Sequence, residues 1–359
     1  VSNCAIYSNR RWNADRAVLM QQSIPKAALD KLIATEYSHL GESQDLRELS
    51  FDFTVCNELS LLRTKSGEFV VKVMTAPEAF FGTSESRVRL ELVAEVIHHL
   101  HRTGHQVEEV IRGQNGNFVQ EFGGKLIRVF RYIENRHYNG SIVDQIEAAR
   151  ALSKLHASGL SNLREDLVKA LRKIEVAYPL HQTMSKVDEV YDFLKEQKNE
   201  SSGFEEIMTK WTVLTDAISL IADYKHRCGL KETLVHTDVH PRNILFCPKT
   251  GQSTIIDFDS LMIGRPFRDL GFSTLRFIGG GPKGDEFSAA IRAWTKAYTE
   301  NVSKGFQADL LTEMLVIEAE KAIRILYRYK NTGTYPQFLP NVSRIHLSNI
   351  ERILPMVER

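Results

Sequence analysis

The stretch “LVHTDVHPRNILF” (234–246) crowds two histidines, an aspartate, an arginine and an asparagine between apolar ends. Side chains of this density make either a solvated turn or a working site, and two chemistries fit a working site. His236, Asp238 and His240 alternate, so a strand would put all three on one face, where they could bind zinc. Pro241 argues against a strand continuing past His240, and no nearby His or Cys cluster offers a fourth ligand. The second chemistry uses oxygen. After “NILF”, a turn at Lys249-Thr250-Gly251 leads into “STIIDFDSL”, so Asn243 and Asp257 fall on neighbouring arms of an expected hairpin with Asp238 at its entrance. Two carboxylates and an amide oxygen converging at a strand end suit Mg²⁺, which keeps waters and substrate phosphates as its other ligands.

The elements that must position these residues change character once along the chain. “SIPKAALDKLIATEYSHLG” from Ser23 reads as a short helix, with Pro25 where a first turn tolerates it. The runs “LSFDFTV”, “LSLLRT” and “EFVVKVM” read as strands, with a turn at Ser66-Gly67. A helix is expected over “SRVRLELVAEVIHHLHRTG”, apolar at Leu90, Val93, Val96, Ile97 and Leu100 and stopped at Gly104. “NFVQEF” and “KLIRVFRYI” are two more strand candidates around Gly123-Gly124, and beyond about residue 135 nearly everything is helical in pattern. The expected class is α+β and bilobal: an extension over 1–23, a β-rich lobe over 24–132 and a larger, mostly helical lobe over 133–359.

Bulk properties exclude little but exclude it firmly. A chain of 359 residues exceeds one ordinary core, and 43% hydrophobic with 25% charged residues is an ordinary globular balance. A net charge of +1 gives no reason to expect nucleic acid or an anionic membrane as partner. Four cysteines without CxxC spacing indicate neither a disulfide framework nor a zinc ribbon, and cytoplasm is the expected compartment. No apolar run approaches a signal peptide or membrane span. “IGGGPKGD” (278–285) follows no strand, lacks the Walker register, and reads as a plain turn.

“HTDVHPRN” followed by “IIDFD” resembles the catalytic and metal-binding loops of the protein-kinase-like fold, in its aminoglycoside phosphotransferase and choline kinase branch. The usual form there is HGDxHxxN followed by an apolar pair and Asp; here Thr237 stands in place of the Gly. The resemblance implies an N-lobe of small antiparallel sheet with one main helix. It also implies Lys72, flanked by valines in “GEFVVKVM”, as the cation on the ATP phosphates, and Asn57 in “FTVCN” in the nucleotide loop. A glutamate on the next helix should orient Lys72; spacing does not choose between Glu91 and Glu95, and Glu91 is taken. Tyr132 and Ile133 fall in the linker that reads adenine, and Leu155-His156 matches a helix end of structural character. Asp238 becomes the catalytic base, Asn243 and Asp257 the Mg²⁺ ligands, and His236 a hydrogen-bonding support. Asp269 is expected to cap a helix and brace the catalytic loop, and Asp259 to lie at the surface or to serve as an auxiliary metal ligand, the surface being preferred.

The activity implied is transfer of the γ-phosphoryl of ATP, or GTP, to a hydroxyl of a small molecule such as a sugar, amino sugar, amino alcohol or hydroxy amino acid. The short stretch “SLMIGRPFRD” (260–269) leaves no room for the long segment with which protein kinases dock a peptide. An aminoglycoside acceptor, a protein-directed or regulatory role, and a non-catalytic nucleotide-binding module are the alternatives. On “EMLVIEAEKAIRILYRYKN”, Glu318, Glu320, Arg324, Arg328 and Lys330 form a mixed set that weakly favours a neutral or partly anionic acceptor; for most of them a solvated helix face is expected.

Overall fold

The computed structural model describes residues 24–49, 57–74, 86–174, 185–197, 202–222, 232–278, 285–300, 307–333 and 339–357. They form two compact units: the described residues up to Arg102 with Glu108–Ile133, and Thr103–Val107 with those from Glu134 onward.

The first unit starts with α1 (Lys26–Glu36), preceded by Pro25 at the cap, and runs through β1 (Ser43–Leu49), β2 (Asn57–Thr64) and β3 (Gly67–Met74). Then come α2 (Ser86–Arg102), β4 (Val110–Ile111), β5 (Gln120–Phe122) and β6 (Lys125–Arg131). The sheet is antiparallel in the order β1-β2-β3-β6-β4, with β5 also on β6. Strand alternation divides β3 between two cores. Phe69, Val71 and Val73 join Leu29 and Ile33 of α1, whereas Met74 packs with Leu90 of α2, Val119 and Leu126. The five apolar positions named on α2 are all fully buried, and Gly104 ends the helix at a φ of +85°.

Beyond Leu49 the “LSFDFTV” expectation lies outside the described residues, and a strand not expected from the sequence, Ser43–Leu49, leads up to it. Only Leu46 of that strand is buried, so its polar composition hid an edge strand whose register runs from Ser43↔Thr64 to Leu49↔Leu59. In “NFVQEF” only Gln120–Phe122 is strand, because the Glu91 carboxylate takes the amides of Phe118 and Val119 at 2.8 and 2.7 Å.

The second unit is mostly helical. It holds α3 (Ile142–Ser158), α4 (Glu165–Leu171), α5 (Val187–Gln197), α6 (Ser202–Thr209) and α7 (Trp211–Ala222) before any strand. Ser141 caps α3 by accepting the Asp144 amide. Four short strands follow: β7 (Thr233–Val235), β8 (Ile244–Phe246), β9 (Ser253–Ile255) and β10 (Met262–Gly264). They pair antiparallel as β7 with β10 and β8 with β9. Then come α8 (Phe267–Ile278), α9 (Asp285–Thr299) and α10 (Gln307–Thr332). A π-helical turn (Val342–Leu347) leads into α11 (Ser348–Val357). Most of the glycine-rich 278–285 stretch lies outside the described residues.

α10 is the beam of this unit, with α7, α8 and α11 packed on it. Every residue from Leu310 to Glu320 is buried, so its first half has no solvent face and only the second half is amphipathic. Gly271 lets α8 come close: a Cβ there would stand 2.9 Å from Ile317 Cδ1 and 3.2 Å from the Met314 nitrogen. Among the described residues no helix is long and apolar enough to cross a membrane.

Candidate active site

The 234–246 stretch is a strand, a loop and a strand: β7 ends at Val235 and β8 begins at Ile244. The loop between them is held mainly by main-chain hydrogen bonds. Asp269, buried in the first turn of α8, accepts the amides of His236 (2.6 Å) and Thr237 on its two carboxylate oxygens. It braces the loop as expected, but it sits inside the helix and not before it. His156 Nε2 lies 3.1 Å from the same carboxylate, and its Nδ1 lies 2.8 Å from the Tyr298 hydroxyl. His156 is thus a buried support, and α3, α8, α9 and the loop meet at one carboxylate.

His236 is fully buried. Its Nε2 lies 2.9 Å from the Ile256 carbonyl, and its Nδ1 accepts the Asp238 amide at 3.2 Å. A carbonyl can only accept, so the ring is the neutral Nε2–H tautomer, and it ties the loop to the segment just before Asp257. Both ring nitrogens are engaged, and among the described residues no group of three His, Cys, Asp or Glu could hold a metal ion. The zinc reading has no support here.

Thr237 has a φ of +72°, in the left-handed region that a β-branched residue rarely enters. The Asp269 carboxylate and a 3.3 Å bond from the Thr237 hydroxyl to the Ser260 carbonyl hold it there. The neighbouring Asp238 carboxylate is half exposed, with His240 Nε2 at 3.5 Å. Burial by the surrounding protein pushes its pKa up, but the hydrogen bond and charge of His240, with Lys321, outweigh that and hold it below the usual carboxylate range. Asp238 is therefore ionised at neutral pH.

The hairpin brings the two oxygen donors to adjacent strand ends. Ile244 pairs with Ile255, and the Ile256 amide donates to the Asn243 carbonyl at 3.0 Å. Asn243 is buried and its Nδ2 donates to the Asp238 carbonyl at 3.0 Å, which leaves the amide oxygen as the free end of that side chain. Asp257, just past the far arm of the hairpin, has a φ of +67°, a second left-handed residue beside the loop. An amide oxygen and a carboxylate suit Mg²⁺ by donor type. Asp259 is buried at 3% exposure, so its expected surface placement is wrong; the turn after β9 folds it inward with Phe258 and Leu261.

In the first unit, the register pairs Asn57 with Met74 and Leu59 with Lys72. Directly opposed residues share a face, so Asn57 and Lys72 lie on the side of the sheet that α2 covers. Lys72 is buried, and the buried Asn57 Oδ1 has no hydrogen-bond partner among the described residues. Glu91 spans two backbone amides, and Glu95 pairs with Arg112 at 2.7 Å. Tyr132 extends the sheet beyond β6 by donating to the Glu68 carbonyl at 3.0 Å, and Ile133 ends the unit.

A cavity of about 180 Å³ opens beside Asp238, lined by Thr237 and Ser260 of the loops, Arg268 and Phe272 of α8, and Ile317, Glu320, Lys321 and Arg324 of α10. Lys321, Arg268 and Phe272 escaped sequence reading. The available signal was helical spacing, because 317, 320, 321 and 324 share one face of α10 and 268 and 272 one face of α8. Glu318 and Glu320, expected on a solvated face, are 0% and 4% exposed. Glu318 turns away from the cavity to His346 Nδ1 at 2.6 Å.

Two compact units, one an antiparallel sheet with its helix and one mostly helical around this loop and hairpin, define the protein-kinase-like fold in its small-molecule branch. Comparison with known proteins narrows this further. The sequence signature of the phosphotransferase enzyme family (APH) matches residues 57–303, and the chain belongs to that family. No protein of curated function matches the chain by sequence. Solved structures share the fold at low identity. A spectinomycin phosphotransferase bound to ADP and spectinomycin is 17% identical with a TM-score of 0.59, over 93% of this chain and 95% of the other. The choline kinase of Streptococcus pneumoniae is 16% identical with a TM-score of 0.53, over 90% and 99%. The ethanolamine kinase of Plasmodium vivax is 12% identical with a TM-score of 0.60, over 99% and 97%.

Proposed function

We propose that the protein is a kinase that moves the γ-phosphoryl group of ATP, or GTP, to a hydroxyl of a small molecule. The observation that carries this is the ionised Asp238, fixed beside a small cavity by a loop whose backbone is tied down on both sides. In phosphoryl transfer the protein mainly positions groups and stabilises charge.

Asp238 accepts a hydrogen bond from the acceptor hydroxyl, aligns its oxygen with the phosphoryl group, and takes the proton as the new O–P bond forms and the bond from the γ-phosphorus to the β,γ-bridging oxygen breaks, releasing ADP or GDP. The Asn243 amide bond to the Asp238 carbonyl keeps that carboxylate in place. The Asn243 amide oxygen and the Asp257 carboxylate would hold Mg²⁺, which when bound neutralises phosphate charge. Lys72 supplies a fixed cation for the nucleotide phosphates, oriented by Glu91, and the unpartnered Asn57 Oδ1 supplies a nucleotide contact. Tyr132 and Ile133 supply main-chain groups for the base.

The cavity of about 180 Å³ beside Asp238 takes the reacting part of an acceptor and opens to solvent. The test is Mg²⁺-dependent release of ADP or GDP with a panel of sugars, amino sugars, amino alcohols, hydroxy amino acids and aminoglycosides. Turnover with one class, lowered by about 10²–10⁴-fold in Asp238→Asn, is the expected result. Failure to bind or turn over either nucleotide sinks the proposal.

A further inference from the structure

The cavity beside Asp238 has an uneven charge. Arg268, Lys321 and Arg324 line it against two carboxylates, Asp238 and Glu320. The Arg276 charge opposes that of Lys321. Glu318 is turned to His346 and, at 3.7 Å, to Arg276, so its carboxylate is engaged at the back of the wall and reaches Lys321 only as a more distant charge.

Glu320 is a weak counter-charge for the cations around it. Its Oε1 lies 3.7 Å from Arg268 and 3.9 Å from Arg324, both too long for hydrogen bonds. That oxygen is buried without a hydrogen-bond partner, on a residue 4% exposed. A buried carboxylate oxygen left this way costs stability unless a donor reaches it. Lys321 is held in position, with its ammonium 3.5 Å from the centre of the Phe272 ring. Lys321 and Arg324 are one helical turn apart, so their charges form a single short patch facing the loop.

We propose that the acceptor is an alcohol carrying an oxyanion, a carboxylate or a phosphate, held by Lys321 and Arg324 with Arg268, while an N–H or O–H donor of the same molecule meets Glu320 Oε1. This rests on the kinase reading and narrows its substrate class. Asp238 takes the reacting hydroxyl, so the molecule presents a hydroxyl to one wall and its anion to the other. Hydroxy acids and hydroxy amino acids have this layout; choline and ethanolamine, with a cation and no anion, do not.

The test is a set of matched acceptors under Mg²⁺ and ATP, with phosphorylated product read by mass. Glycerate, serine and threonine are run against glyceramide, serinamide and threoninamide. Glycerol phosphate is run against glycerol to separate phosphate from carboxylate, and choline, ethanolamine and spectinomycin complete the set. Binding of each is measured by calorimetry with a non-hydrolysable ATP analogue. The expected result is that kcat/KM for an anionic member exceeds that of its neutral partner by at least about 100-fold. Lys321→Met and Arg324→Met should each raise KM for that acceptor by at least about tenfold, with a smaller fall in kcat. Lys321→Arg should restore most of the loss, and Arg324→Glu should shift preference toward amine-bearing members. Equal use of neutral or cationic members overturns the inference and leaves the kinase reading standing. So does a uniform fall in kcat for all acceptors in the two Met variants, which would assign those cations to the phosphoryl group. Anionic members that neither react nor bind at about 10 mM overturn it as well. Absence of nucleotide binding throughout would instead remove the kinase reading itself.

Discussion

Two walls face each other across the cavity at Asp238, and different interactions hold them. On the loop side, the amides of His236 and Thr237 end on Asp269, and the His236 ring bridges the Asp238 amide and the Ile256 carbonyl. These bonds are directional and local, so the loop has one good conformation. On the helix side, Glu320 meets Arg268 and Arg324 at 3.7 and 3.9 Å, and Lys321 leans on an aromatic ring. Such contacts depend on charge more than on angle, and side chains can exchange within them. On the proposed reading, the reacting group sits on the wall held by directional bonds, the rigid one, and the partner-selecting groups on the other, the adaptable one.

The largest effect should come from cutting the rigid wall at its root. Asp269→Ala leaves the amides of His236 and Thr237 without acceptors in a buried site, and His156 without its carboxylate. A loss of about 3–5 kcal/mol in urea-unfolding stability is expected. Asp269→Asn, which keeps one oxygen acceptor, should lose less. Equal stability of Asp269→Ala and the parent would show that other contacts hold the loop.

Without an acceptor anion the adaptable wall should respond to pH, and a bound anion would restore the Lys321 charge. Burial, with Arg276 and Arg324 nearby, brings Lys321 down to about 7 against the opposing pull of Asp238 and Glu318. The charged and titratable groups around it are Arg268 and Arg276 of α8, Glu318, Glu320 and Arg324 of α10, Asp238 of the loop, and His346 behind Glu318. With the folded value depressed, the unfolded chain binds the extra proton between about pH 7 and the ordinary lysine value. Stability should therefore rise across that window and be lower below it. Urea midpoints measured from pH 6 to 9 should rise in the parent and flatten in Lys321→Met. A parent profile as flat as the variant would mean that Lys321 keeps its proton in the fold.

The smallest effect concerns strain in the rigid wall. Thr237→Gly removes the cost of a β-branched residue at a φ of +72° but gives up the weak bond to Ser260 and adds unfolded-state entropy. A net gain of about 1 kcal/mol or less is expected, seen as a raised Tm. A fall in Tm would show that the hydroxyl bond outweighs the strain.

The two walls were unequally legible in the sequence. The loop was readable because Asp238 and Asn243 lie close in sequence and a short hairpin sets the spacing to Asp257, so that Asn243 and Asp257 flank its adjacent strand ends. The helical wall draws on residues some fifty positions apart, and nothing local in Arg268 or Lys321 separates a cavity lining from a solvated face. Glu318 and Glu320 misled for the same reason, since burial on α10 is set by α8 and α11 and not by the composition of α10. The polar edge strand Ser43–Leu49 was missed because one buried leucine is too little periodicity to read. Asp259 looked exposed because a one-residue difference in the turn after β9 decides which side a carboxylate takes.

α10 is the beam of the larger unit and, on the proposed acceptor site, also the floor on which acceptors are sorted, which would limit how such an enzyme can change its diet. Along the helix, Glu318 belongs to the architecture while Glu320, Lys321 and Arg324 line the cavity. A lineage exchanging one acceptor for another can reverse charges at those outward positions within a few steps. Any change at Glu318, Ile317 or Gly271 disturbs the joint between α10 and its neighbours. Descendants of this scaffold should therefore diverge at a handful of places one helical turn apart, and stand still at the positions between them.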